Sequence, residues 1–389
     1  MKEFYWMLLI ISLAVNFIFF YFDILPAIKK RIYRRRLSFI SRFSKDQLTS
    51  EIEEKIINQS LRMAKSKTVL MPMAEQQTLI DELKKYFYRR VRKEKSRFNY
   101  PKAYLFAGLS EYGVSKQDDG LLKMISSEFD NYINNDGLPI FPFEKIDQIP
   151  FGIAAINLFS YFGMEKYKFT ADYYFEKLME LKEEKLGIVY YRKNESIDFV
   201  DTIGMICPFL VRYGATFNNQ SARELAKNQL KYYINKGLDL DSSLPAQALI
   251  KRNNIKVGSY NWGRGIGWFI IGLSDYLRFT NDSSYLESYN KIQKTLFDLR
   301  TKDMVWTQFP GSCEDFDASS TTMIMYGLNS ILEIYTKNEI FSILKPHIIE
   351  GIIRNTSGDT YYANRFSHSF GESELSQGFL LMLLATAKK

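Results

Sequence analysis

In this 389-residue chain, the segment Asn261–Trp268, read NWGRGIGW, carries the residue types a ligand site needs. Gly263, Gly265 and Gly267 let backbone pass close to a ligand or to a neighbouring helix. Trp262 and Trp268 offer flat apolar faces, and Arg264 offers a planar fork that matches a carboxylate. No strand pattern precedes these glycines, which argues against a dinucleotide-binding turn. The same residues would also build a tight helix entry with buried tryptophans, and composition leaves both readings open. A second segment, Asp198–Leu210 (DFVDTIGMICPFL), places Asp201 at the opening of an otherwise apolar helix. An aspartate there can be a helix cap. It can also be a partly desolvated acid at the rim of a cleft, raised in pKa and able to give and take a proton.

The remaining composition narrows the chemistry. There are two histidines, His347 and His368, both near the C-terminus, so a zinc site and a Ser-His-Asp mechanism are disfavoured and carboxylates are left to do the work. The two cysteines, Cys207 and Cys313, match no metal or redox spacing and read as buried, reduced thiols. The aromatic residues (26 Tyr, 30 Phe and 4 Trp) supply a large core, with some rings available to line a sugar cleft.

The net charge of +8 is concentrated in one short stretch. Residues 26–45 hold Lys29, Lys30, Arg31, Arg34, Arg35, Arg36, Arg42 and Lys45 and no acid, while the chain beyond is close to neutral. A nucleic-acid footprint on the main domain is therefore not supported. Ahead of this run, Phe4–Leu25 is almost wholly apolar, with Tyr5, Trp6 and Tyr21 placed as interfacial anchors. The nearly neutral start and the lack of a small-residue cleavage site favour an uncleaved single-pass anchor over a signal peptide. The basic flank predicts that the following domain faces the cytoplasm, at the cell membrane.

The elements that must position the candidate residues are helices. From residue 46 the pattern has helical periodicity punctuated by Gly, Pro and Asn. Helices are expected over 47–65, 75–97, a stripe from Leu121 to Ile133, a segment from Ile153 to Gly163, and 169–185, 202–213, 219–235, 266–279, 283–299, 318–336, 339–353 and 374–387. No strict repeat is visible, which disfavours a solenoid. A closed ring of helix pairs, with inner helices apolar on nearly all sides, satisfies the pattern. The organisation is thus 1–25 as the transmembrane anchor, 26–45 as a basic juxtamembrane segment, and 46–389 as one all-α domain.

Several blocks, in order, resemble the glycoside hydrolase families 88 and 105, the unsaturated uronyl hydrolases. NWGRGIGW is similar to their WxRGNGW motif, and FVDTIGMICPFLVRYG to their WxDGLYMAxPFLARY segment. Upstream, KIDQIPFGIAAINLFSYFGMEKY resembles a third block, and MVWTQFP, DFDASSTTMIMYGLNSIL and GESELSQGFLLMLLA follow downstream. The resemblance spans roughly residues 75–389 and implies an (α/α)6 toroid without a cofactor. It implies hydrolysis of a 4,5-unsaturated uronic acid from an oligosaccharide, with Asp201 as the catalytic acid/base and Asp147 as the second carboxylate. Trp262, Arg264, Trp268 and Tyr191 would surround the substrate. The chain departs from the pattern at Ile266, where the family has Asn, and at Tyr190, Tyr191 and Arg192, where a histidine is usual. These departures imply a changed set of substrate contacts. The alternative is a membrane-associated protein on the same fold that binds or helps assemble a polysaccharide, with weak or no hydrolase activity. A sugar isomerase or epimerase is weaker still, because those enzymes lean on histidine pairs.

Overall fold

The computed structural model describes residues 2–25, 28, 32, 47–71, 97–313, 316–360, 362–367 and 369–388. The basic residues of 26–45 and nearly all of the expected helix at 75–97 lie outside them. Among the described residues, α1 (Lys2–Phe19) is long and apolar enough to cross a membrane, and none of its residues is buried.

The domain begins at α2 (Ser50–Lys65), capped by Thr49. Among the described residues five helical hairpins follow: α3 (Tyr100–Lys116) with α4 (Asp119–Phe129), and α5 (Phe151–Phe162) with α6 (Glu165–Leu181). Next come α7 (Asp201–Thr216) with α8 (Gln220–Gly237), and α9 (Gly263–Thr280) with α10 (Leu286–Asp298). The fifth is α11 (Ala318–Leu332) with α12 (Lys337–Leu344), and the chain ends in α13 (Glu374–Thr386). Helices α3, α5, α7, α9, α11 and α13 pack side by side in that order, and α13 returns to α3 to close the ring. Helix α2 packs outside α3 and α13, so the two ends of the domain supply the sixth hairpin between them.

Burial separates the rings. The inner helices are covered on nearly every face, whereas the outer ones show one buried stripe. In the one inner helix missed in the sequence, α3, Lys102, Ser110 and Glu111 interrupt the apolar residues. Asn99 caps it and Pro101 sits in its first turn, where a missing amide N–H costs nothing. The expected helix at 339–353 stops at Leu344, because Pro346 turns the chain into a 3-10 segment. A short hairpin follows, β4 (Ile348–Ile349) with β5 (Ile352–Ile353).

Ring closure rests on two glycines. A Cβ on Gly108 of α3 would lie 2.2 Å from the carbonyl oxygen of Gly378, and one on Gly378 of α13 would lie 2.3 Å from that of Tyr104. Only bare backbone permits this approach.

Contacts at the two ends show that the inner helices run parallel. Near their starts, the Tyr104 hydroxyl donates to the Gly204 carbonyl, Tyr100 meets the Trp268 ring edge-on, and Arg264 reaches Ser319. Near their ends, Arg212 donates to Asp275 Oδ2 at 3.1 Å and to the Tyr326 hydroxyl at 2.8 Å, and pairs with Glu111 at 3.1 Å. That buried cluster closes one end of the ring. The other end collects six helix N-termini, a potential that favours negative charge.

Candidate active site

Asp147 is brought to this end by a 3-10 turn, Ile146–Gln148, just ahead of α5. The turn is wound around the Gln148 side chain, which accepts from the Glu144 amide at 2.8 Å and donates to the Pro142 carbonyl at 3.2 Å. Asp147 is 2% exposed. Its Oδ2 takes Lys145 Nζ at 2.8 Å, while its Oδ1 is buried with no hydrogen-bond partner.

Asp201 is the first residue of α7. Val200 holds the cap position, and no side chain caps the helix. The cap reading therefore fails, and Asp317 shows the contrast. Asp317 caps α11 and accepts from the Ser319 amide, the Ser319 hydroxyl and the Ser320 hydroxyl at 2.8, 2.8 and 3.1 Å. Asp201 is partly exposed as a residue, yet its Oδ2 is buried and without a partner. Burial, reinforced by the negative charge of Asp147, pushes its pKa up to about 7, against a smaller opposing pull from Arg264.

A small antiparallel sheet holds the approach to α7. β1 (Ile197–Phe199) pairs with β2 (Ala248–Ile250), and β2 with β3 (Ile255–Val257), in the registers Phe199–Ala248 and Ala248–Val257. The Val200 amide then donates to the Gln247 carbonyl at 2.9 Å, which sets where Asp201 enters the helix. Within β1, Asp198 is fully buried, and burial raises its pKa to about 6. Its Oδ1 accepts from the Tyr191 amide at 2.9 Å and from the Thr202 hydroxyl at 3.3 Å, and its Oδ2 has no partner. Asp198 thereby fixes Tyr191, whose phenol lies beside Asp147. Burial and the charges of Asp147 and Asp201 hold that phenol's proton firmly.

The glycine-rich block forms the wall between α7 and α11. Trp268 is 1% exposed, packed against Tyr100, Tyr104 and Phe379, and Trp262 is 3% exposed, against Phe366. Their faces are covered by the protein itself, which is the buried-tryptophan alternative for this block. Arg264 is also buried, and its fork is directed inward. Nε donates to the Ser319 hydroxyl at 3.2 Å, and Nη2 to the Ser357 hydroxyl at 2.9 Å and to the Ser357 and Gly358 carbonyls. Nη1 pairs with Asp359 Oδ1 at 3.5 Å, and the Tyr100 hydroxyl donates to the same oxygen.

The structure thus gathers Asp147, Asp201, Tyr191 and Arg264 at one end of the ring, with Trp262 and Trp268 behind them. Asp198 and Asp359 join them, and neither was singled out from the sequence. The spacing Asp198-x-x-Asp201 was the available signal for the first; Asp359 had none, because its role depends on a loop folding back onto α9. Among the described residues no cluster of His, Cys, Asp and Glu could hold a metal ion. His368 lies outside the described residues. Cys207 is buried as expected, but Cys313 is exposed, because it sits in a surface turn after Pro310 rather than in a helix.

The closed ring of helical hairpins thus presents Asp147 and Asp201 at the N-terminal end of its inner helices. The chain belongs to Glycosyl Hydrolase Family 88, whose profile matches residues 74–359, and it is accordingly a glycosidase. Its structure is similar to a possible member of family 105 from Salmonella enterica serovar Paratyphi A, with TM-score 0.70, 15% identity, and coverage of 88% of this chain and 94% of that one. It is similar to a family 105 glycoside hydrolase from C. acetobutylicum, with TM-score 0.65, 16% identity, and coverage of 80% and 99%. It is also similar to an unsaturated glucuronyl hydrolase from Bacillus sp. GL1, with TM-score 0.61, 16% identity, and coverage of 86% and 95%. No curated protein matches the sequence significantly.

Proposed function

We propose that the protein is a membrane-anchored hydrolase that removes an unsaturated or modified uronic acid from the end of an oligosaccharide. The observation that carries this reading is the state of Asp201: a desolvated carboxyl whose pKa is pushed to about 7 beside a second carboxyl, Asp147. An acid poised there is present in both protonation states near neutral pH, which suits one group to give a proton and then take one. In the reaction, protonated Asp201 delivers its proton to the vinyl-ether double bond of the sugar. The resulting cation is stabilised by the neighbouring carboxylate, Asp147. Water adds to the adjacent carbon and returns a proton to Asp201. The hemiketal so formed opens and expels the leaving sugar. Tyr191 holds its place beside Asp147 and faces the sugar, in the position where the family's histidine is usual. Helix α1 and the basic run behind it tether the enzyme at the membrane, with the catalytic domain on the cytoplasmic side.

The test is the ultraviolet absorbance of the substrate's double bond. Incubation of the purified full-length protein with a panel of unsaturated disaccharides, each as the free acid and as its C6 methyl ester, is expected to bleach it for at least one member, and Asp201→Asn to abolish the bleaching. A flat signal across the panel, with Asp201→Asn indistinguishable from wild type, rejects the hydrolase reading in favour of a polysaccharide-binding role.

A further inference from the structure

The charge bookkeeping of the pocket bears on what the sugar carries at C6. A guanidinium grips a carboxylate with two parallel N–H groups, from Nη1 and Nη2 or from Nε and Nη2. In Arg264 both pairs are spoken for, since Nε serves Ser319 and Nη2 serves Ser357 and Gly358. Nη1 faces Asp359, itself steadied by the Tyr100 hydroxyl. With Arg264 at 2% exposure, there is no open edge for an incoming acid. Lys145, the second cation in contact with these carboxyls, is matched by Asp147 at 2.8 Å. Asp198 and Asp201 remain, each with a buried oxygen that has no partner. With Asp201 protonated, Asp147 and Asp359 already match Lys145 and Arg264, leaving neither cation open to the sugar. A substrate carboxylate would add one more negative charge to a poorly solvated cluster, where like charges repel strongly.

We infer that this site takes a uronic acid whose C6 group is neutral, an ester or a carboxamide, and that Asp359 is the residue that sets this preference by occupying Arg264. This rests on the reading of the site as one for a uronyl sugar and names which chemical form of it is bound. Asp359 acts through Arg264 and so is a specificity-determining residue, not a catalytic one.

Binding can be read apart from turnover. The methyl glycosides of glucuronic and galacturonic acid, as free acids and as carboxamides, have no double bond and cannot undergo the proposed reaction. Calorimetric titration of the full-length wild-type protein is expected to show at least one carboxamide bound tenfold or more tighter than its free acid. Asp359→Asn is expected to bring the two within about threefold, chiefly by gaining affinity for the acid. A wild-type protein that binds the free acid as tightly as the carboxamide, or binds neither, overturns the inference without need of any variant. A folded Asp359→Asn protein with an unchanged ratio overturns the role of Asp359. Carboxamide binding, together with a flat ultraviolet signal on unsaturated disaccharides in both their free-acid and C6-esterified forms, would leave this inference standing and reject the hydrolase reading alone.

Discussion

The charge of Asp147 helps to raise the pKa of Asp201, and Asp201 Oδ2 and Asp147 Oδ1 are both buried without hydrogen-bond partners. Lys145 compensates Asp147, and no cation stands in ion-pair contact with Asp201 among the described residues. On the proposed reading, Asp201, with its pKa pushed up to about 7, is the group that carries the proton.

Removal of that proton carrier should abolish turnover while leaving the fold. Asp201→Asn is expected to lower kcat at least a hundredfold, the scale of general acid/base contributions, with an unchanged circular dichroism spectrum. Retention of near-wild-type kcat would show that Asp201 is not the acid.

The pH profile should report the coupling. Activity is expected to fall as pH rises through about 7, where Asp201 loses its proton. Because the Asp147 charge helps to raise Asp201, Asp147→Asn should move this limb to lower pH as well as reducing the rate. A limb that stays in place in Asp147→Asn would mean that the two groups are not coupled.

Stability should follow the same protons. Asp198 and Asp201 bind protons more tightly when folded than at their ordinary 3.8, with folded pKa values of about 6 and about 7. Their contribution is therefore fully present below pH 3.8 and is lost as pH rises through those folded values. Melting curves at fixed ionic strength should show Asp201→Asn to be less sensitive to pH between 4 and 8 than wild type, with a higher Tm at pH 8. An equal or steeper dependence would count against the assignment.

The far end of the ring predicts a purely structural defect. Asp275→Ala leaves Arg212 buried with one of its carboxylates removed, a change of about 3–5 kcal/mol in denaturant unfolding. Gly108→Ala forces α3 away from α13 at the seam and should cost about 1–3 kcal/mol. A neutral result in either would mean that the ring closes by other contacts.

The orientation at the membrane can be read with the protein's own thiols. Cys313 is exposed and Cys207 is buried, so a membrane-impermeant maleimide reports Cys313. Intact cells are expected to protect it and permeabilised cells to label it. Labelling in intact cells would place the domain outside.

Much of the architecture was legible in the amino-acid order, because amphipathic outer helices such as Leu286–Asp298 write their buried stripe at a 3.6-residue period. The inner helix Tyr100–Lys116 escaped because Lys102, Ser110 and Glu111 break up its apolar run, and the partners that allow their burial, Glu374 and Arg212 among them, lie far along the chain. Asp201 drew attention by standing at the head of an apolar helix, yet cap and acid look alike in one dimension. What separates them is whether the carboxylate oxygens meet amide and hydroxyl donors, as those of Asp317 do, or another carboxyl. Arg264 shows the same limit. Its type and its glycine neighbours announced an anion site, but the claim of Ser357, Gly358 and Asp359 on its fork arises only when a loop 93 to 95 residues further along the chain folds back onto α9. Local order thus determines which segments become helices. Which charges are matched, and which are left buried and reactive, is decided by long-range packing, because both desolvation and pairing depend on groups far apart in the chain.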